Sequence, residues 1–260
     1  MKTLLIASTI GFALASASAM AADLPLKSPA PVVGWTGCYV DGGIGYGLWN
    51  QKHYAEFDTL FTPESPTVNT GGEGWLGRAG GGCDFQIGSS WVIGAFGDYD
   101  FTNLSGQFDE PFSDDIGSER ERYSWAVGGR VGYLISPSLL GFVDAGYTRA
   151  AFSQITLSAF SSPPLVVGAA SEYIPAHTYS GWFLGGGYEY ALSGIMPIPG
   201  LFWRTEYLYA DYKGADLPIL TLAGAPVFCD IAACTEPLAQ HMQKNVQTVT
   251  SGLVWRFNWH

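Results

Sequence analysis

Charge is scarce in this chain. Lysine, arginine, aspartate and glutamate make up 13% of its 260 residues, against about 25% in a soluble globular domain. Positive charge is the scarcer sign, and a net charge of −11 excludes nucleic acid as a partner. Long apolar runs are missing too. Past the N-terminus, no stretch long enough for a membrane helix is free of both charge and proline. The nearest approach, 182–203, contains Glu189, Pro197, Pro199 and three consecutive glycines, so spanning helices are excluded. What is abundant is aromatic residues, at 15%, and glycine, at 34 residues. A chain with lipid-like composition and no apolar helix has one other way to cross a bilayer, a closed β-barrel.

The N-terminus sets the compartment. Lys2, an apolar stretch over 4–14 and the small-residue site Ala19-Met20-Ala21 read as an export signal over 1–21. No cysteine follows the cleavage point directly, so a lipid anchor is not expected. Residues 22–35 hold Pro25, Pro29 and Pro31 and read as an extended periplasmic tether. The barrel is expected over 36–260, an all-β, up-and-down antiparallel ring of eight strands. The strands are predicted near 37–48, 75–87, 91–104, 122–135, 139–152, 178–192, 201–212 and 246–259. Short turns at Gly88-Ser89-Ser90, at Ser136-Pro137-Ser138 and over 193–200 alternate with long connections over 49–74, 105–121, 153–177 and 213–245. That alternation marks a barrel with short periplasmic turns and long external loops. A soluble sandwich would also show short alternating strands, but not one face so aromatic and free of charge.

Side chains alternate faces along a strand. In the last strand Val249, Leu253, Trp255, Phe257 and Trp259 share one face, and Thr248, Thr250, Gly252, Arg256 and Asn258 the other. The first set belongs in lipid, the second in the lumen. The same division elsewhere gives a lumen charge network of Asp41, Arg78, Asp84, Asp98, Asp100, Arg130, Asp144, Glu189, Arg204, Glu206 and Arg256. Eight strands leave room for little beyond side chains, and an unpaired buried charge is costly, so these groups are expected to pair and fill the barrel. A narrow ion path is the alternative. Trp75, Trp125 and Trp182 form an outer aromatic girdle, and Trp91, Tyr133, Tyr190, Trp203 and Trp259 a periplasmic one.

Several segments resemble the small outer-membrane β-barrel surface proteins of alphaproteobacteria, related to opacity-type antigens and to the OmpA barrel. They are Asp23-Leu24-Pro25, Trp35-Thr36-Gly37-Cys38-Tyr39-Val40, Gly45-Tyr46-Gly47, Trp203-Arg204-Thr205-Glu206-Tyr207-Leu208-Tyr209 and Val254-Trp255-Arg256-Phe257. The resemblance covers essentially the whole mature chain. It implies an eight-stranded outer-membrane barrel with a role in envelope integrity, surface antigenicity or host contact, and some relatives bind hemin. Cys38 and Asp41 depart from the aromatic and small residues expected there, and His260 replaces a terminal aromatic. The assembly machinery would then read Trp255, Phe257 and Trp259.

Cys229 and Cys234 suggest a disulfide inside the last long loop. If Trp49 faces Gly72 at the first loop mouth, antiparallel register sets Cys38 opposite Cys83 on the lipid side, a second candidate bond that a one-residue slip would destroy. His53, His177 and His241 lie on or beside external loops and are the candidate hemin ligands. No metal is expected, since a lone pair of cysteines beside His241 does not complete a zinc site. No hydrolase or phosphate-loop motif occurs, and His177 and Ser180 fall on opposite faces of one strand, so an enzyme is not expected. Asp109, Glu110, Asp114, Asp115, Glu119 and Glu121 read as a solvated acidic loop. The apolar run 217–228, broken by Pro218 and Pro226, could fold over the mouth or meet a partner. The expected function is envelope structure and surface contact, amid outer-membrane lipid and lipopolysaccharide. The alternatives are a porin-like channel and a hemin receptor.

Overall fold

The computed structural model describes residues 34–57, 65–110, 115–161, 166–196, 198–228 and 236–257. The segments 1–21 and 22–33, Asp114, Cys229, Cys234, Asn258, Trp259 and His260 lie outside them. Eight long strands close a ring. They are β1 (Gly37–Phe57), β2 (Val68–Ile87), β3 (Trp91–Asp109), β4 (Asp115–Ser136), β5 (Leu139–Phe152), β8 (His177–Ala191), β9 (Leu201–Tyr212) and β12 (Leu238–Phe257). Each pairs antiparallel with the next of these eight in the chain, and β12 returns to β1. Four short strands complete the set: β6 (Ile155–Ser161), β7 (Val166–Ile174), β10 (Ala215–Pro218) and β11 (Leu220–Thr221).

The belt follows from alternation. On β1, Val40, Ile44, Tyr46 and Leu48 are exposed on the outside, while Tyr39, Trp49, Gln51 and His53 are buried inside. At the short-turn end, Gly88 and Gly200 take positive φ of 61° and 76°, conformations open to a residue without Cβ. Trp35, counted with the tether from sequence, sits inside this end. Its indole donates to the Pro137 carbonyl at 3.2 Å, and its ring lies 4.9 Å from Phe202.

The predicted strands stop too early at the long-loop end. Beyond the aromatic belt β1 runs on to Phe57, β2 starts at Val68, β3 reaches Asp109, β4 starts at Asp115 and β12 starts at Leu238. The outer face turns polar there, with Asn50, Lys52, Glu73 and Arg122, so the lipid-facing signal ends although the inward alternation continues. The predicted 153–177 connection is the β6–β7 hairpin. In the fourth connection, β10 pairs with β12 and β11 with β7, which carries Leu217 and Ile219 into the core. The acidic segment is corrected as well. Glu110, Asp115, Glu119 and Glu121 are buried, because continued pairing of β3 and β4 turns them inward, and of the described members only Asp109 is exposed.

Trp49 faces Gly72, Cys38 faces Cys83, and the two cysteines form a disulfide across β1 and β2 on the lipid side. The bond closes a sequence separation of 45 residues. Replacing both cysteines by serine should lower unfolding stability by about 2–4 kcal/mol, read from urea titration of refolded protein. An unchanged midpoint would mean that the paired strands already restrict the unfolded chain as much as the bond does.

Candidate functional site

All eleven candidate lumen residues point inward, and ten are buried, with Asp41 half-buried. Ten of them form two ion-paired groups, and Asp144 belongs to neither. In the first, Arg78 makes a bidentate contact to Asp100 at 2.7 and 2.9 Å, reaches Glu206 at 2.9 Å and lies 3.8 Å from Asp98. In the second, Glu189 is fully buried among three arginines. Arg256 donates to it at 2.8 and 2.6 Å, Arg204 at 3.2 and 3.1 Å, and Arg130 at 3.3 Å. Asp84 accepts from both Arg130 and Arg256, and Arg204 reaches across to Asp41 at 3.3 Å. The Tyr39 ring lies within 4.7–5.0 Å of all three guanidinium groups. A planar cation with five donors suits this task, since each face can stack on a ring while its edge pairs with carboxylates.

Glycine makes room for the carboxylates. Asp84, Asp98 and Asp144 face Gly94, Gly80 and Gly185 across the sheet. A Cβ at any of the three would strike the carboxylate oxygen. Asp98 and Asp144 differ from Asp84 in that none of their oxygens has a hydrogen-bond partner among the described residues.

Leu76, Phe183 and Leu208 fill the lumen above the ions, and Phe96, next to Asp98 on the inner face of β3, meets Phe183 edge to face at 5.9 Å. Higher still, past the belt, is a pair that the sequence reading missed. Lys244 Nζ donates to Glu119 at 2.7 Å and lies 5.0, 4.4 and 5.2 Å from the rings of Trp49, Phe152 and Tyr179. Burial pushes the ammonium pKa down and the Glu119 carboxyl pKa up, against the mutual attraction of the pair. Nearby, Gln240 donates to Glu110. Gln240, Met242, Lys244 and Val246 share the inner face of β12 and are all buried, but their mixed polarity left no apolar stripe to mark that face in the sequence.

The three histidines do not converge. His53 faces the lumen, bonded to the Asp109 carbonyl at 2.8 Å and packed on Phe108. His241 faces outward on the next rung, stacked on Tyr54 and held 2.5 Å from Asp216. His177 sits beside Tyr179. Burial lowers the pKa of both His53 and His177.

Outside, Trp75 and Trp182 are exposed at the long-loop end of the belt, with Trp125 half-buried. Trp91, Tyr133, Tyr190 and Trp203 are exposed at the other end. Apolar residues such as Ile44, Val127, Val143 and Leu184 lie exposed between them, a surface that only lipid can cover.

The sequence matches the family described as "Outer membrane protein beta-barrel domain" over residues 7–257. It is 27% identical over 227 residues to the 31 kDa outer-membrane immunogenic proteins of Brucella melitensis biotype 1 and Brucella suis biovar 1, covering 81% of this chain and 87% of theirs. Among solved structures it is similar to the outer membrane protein OprG from Pseudomonas aeruginosa (10% identity, TM-score 0.46, covering 87% of this chain and 99% of that one). It is also similar to the outer membrane protease OmpT from Escherichia coli (12% identity, TM-score 0.43, covering 85% and 97%). With the ring closed at eight strands and its outer face apolar, this chain belongs to the outer membrane protein β-barrel family and resides in the outer membrane.

Proposed function

We propose that this protein is a non-enzymatic surface barrel whose lumen is sealed by its own side chains, and that it serves envelope integrity and surface contact rather than transport. The observation that carries this reading is Glu189, fully buried and gripped by Arg130, Arg204 and Arg256 across the barrel. Charges so paired leave little room for a hydrated ion. The void beside Asp41, Arg78, Arg204 and Glu206 measures about 20 Å3, space for roughly one water. In this reading 1–21 is the export signal, the segment from residue 22 up to Trp35 the tether, and Trp255, Phe257 and Trp259 mark the closing strand for the assembly machinery.

Refolded, heat-modifiable protein in a planar bilayer should show no stable conductance steps. Reproducible steps that change in size when Arg130 or Glu206 is replaced would establish the narrow channel instead.

A further inference from the structure

At the long-loop end the wall of the barrel is interrupted beside β4. The β5–β8 hairpin bends where β5 gives way to β6 at Ser153-Gln154 and β7 to β8 at Pro175-Ala176. Strand β4 pairs with β5 as far as Glu121 and Phe152 and resumes with β6 at Ile116 and Ser158. Across the gap the contact is between Arg120 and Ser153: the Arg120 amide donates to the Ser153 hydroxyl at 3.1 Å and the Ser153 amide to the Arg120 carbonyl at 2.8 Å. A cleft of about 510 Å3 opens there, lined by Arg120, Arg122, Glu119 and Ala176 and by the polar residues Ser105, Ser118, Ser153 and Gln154.

Among the described residues, nothing neutralises the arginines of this cleft. Arg122 is the extra residue of a bulge between Glu121 and Tyr123, and both it and Arg120 are exposed. Arg149, also exposed, projects from β5 one rung above the Tyr147–Trp182 pair. Among the described residues, none of these three guanidinium groups has a carboxylate partner, whereas the four lumen arginines all do. Glu119 is committed to Lys244. The height matters as much as the charge. Tyr99 and Tyr123 stack at 5.7 Å, and Trp125, which faces Arg149 across β4 and β5, lies 5.7 Å from Tyr147; Arg120 and Arg122 lie just above these rings on β4. Such aromatic rings mark the headgroup zone, so the arginines sit where the anionic groups of membrane lipid lie.

We propose that Arg120 and Arg122, assisted by Arg149, bind the phosphate monoester of an outer-leaflet glycolipid, with the serine hydroxyls and Gln154 meeting its sugar. Planar guanidinium groups bind phosphate bidentately, the hydroxyl-rich lining suits a pyranose, and the lipid chains would descend over the Tyr123–Trp125 face. The proposal does not depend on the sealed lumen, so a conducting barrel would leave it standing.

The test uses full-length refolded protein in micelles and native mass spectrometry with diphosphoryl lipid A, dephosphorylated lipid A and soluble glucosamine 1-phosphate. Wild type should retain the phosphorylated lipid about tenfold better than the dephosphorylated form, and Arg120→Gln/Arg122→Gln should lose about that factor while keeping its heat-modifiable fold. Arg149→Gln should weaken retention less. Equal retention of both lipids, or an unaffected double variant, would overturn the proposal. Competition by glucosamine 1-phosphate at the same concentration as the lipid would overturn the membrane source and assign the cleft to a free sugar phosphate.

Discussion

Replacing Glu189 by glutamine should lower the unfolding stability of the refolded barrel by about 3–5 kcal/mol, the scale for removing one partner of a buried ion pair. Glutamine keeps the volume and removes the charge. Arg204 would keep only Asp41, and Arg130 and Arg256 would share Asp84. Three guanidinium groups around one tyrosine ring would then repel one another with too little negative charge between them, in a space without bulk water to screen them. The loss can be read from urea midpoints by tryptophan fluorescence. Glu73→Gln, on the exposed outer wall, is the control and should change stability by less than about 0.5 kcal/mol. A loss below about 1 kcal/mol for Glu189→Gln would mean that water reaches the arginines, and with it the case for a sealed lumen fails.

The second large effect is expected at Lys244. Lys244→Met leaves Glu119 buried at 3% exposure without its cation and should lower stability by about 3–5 kcal/mol. Adding Glu119→Gln removes the stranded charge. The double variant should recover most of the loss, because methionine can fill the space among Trp49, Phe152 and Tyr179, and a buried ion pair is often replaceable by well-packed neutral residues. If the double variant is as unstable as the single one, the contribution of Lys244 lies in its stacking on the three rings rather than in the ion pair.

The two sites differ in how far sequence alone exposes them. The Glu189 cluster lies on strands whose outer faces are strongly apolar, so Leu184, Tyr188 and Tyr190 on one face fix Glu189 on the other. Parity also set Cys38 against Cys83, because a single assumed rung, Trp49 with Gly72, determines every other rung of that hairpin. The Lys244 layer had no such guide. Above the belt both faces of a strand carry polar residues, so Glu119 and Glu121 read as solvated loop. The partner of Glu119 is 125 residues away, and nothing local to either residue signals the pairing. Similarly, the glycines opposite Asp84, Asp98 and Asp144 look like ordinary strand glycine until register shows which carboxylate each one faces.

The Cys38–Cys83 bond dates one step in the biogenesis of the barrel. Its sulfurs lie on the lipid-facing wall, two rungs from Val40 on one side and from Phe85 on the other. Disulfide formation proceeds through a thiolate, and an isolated anion is not sustained in an apolar medium. Oxidation therefore belongs to the interval in which this hairpin still meets water. Formed in that interval, the bond ties the first two strands in register before the bilayer closes around them.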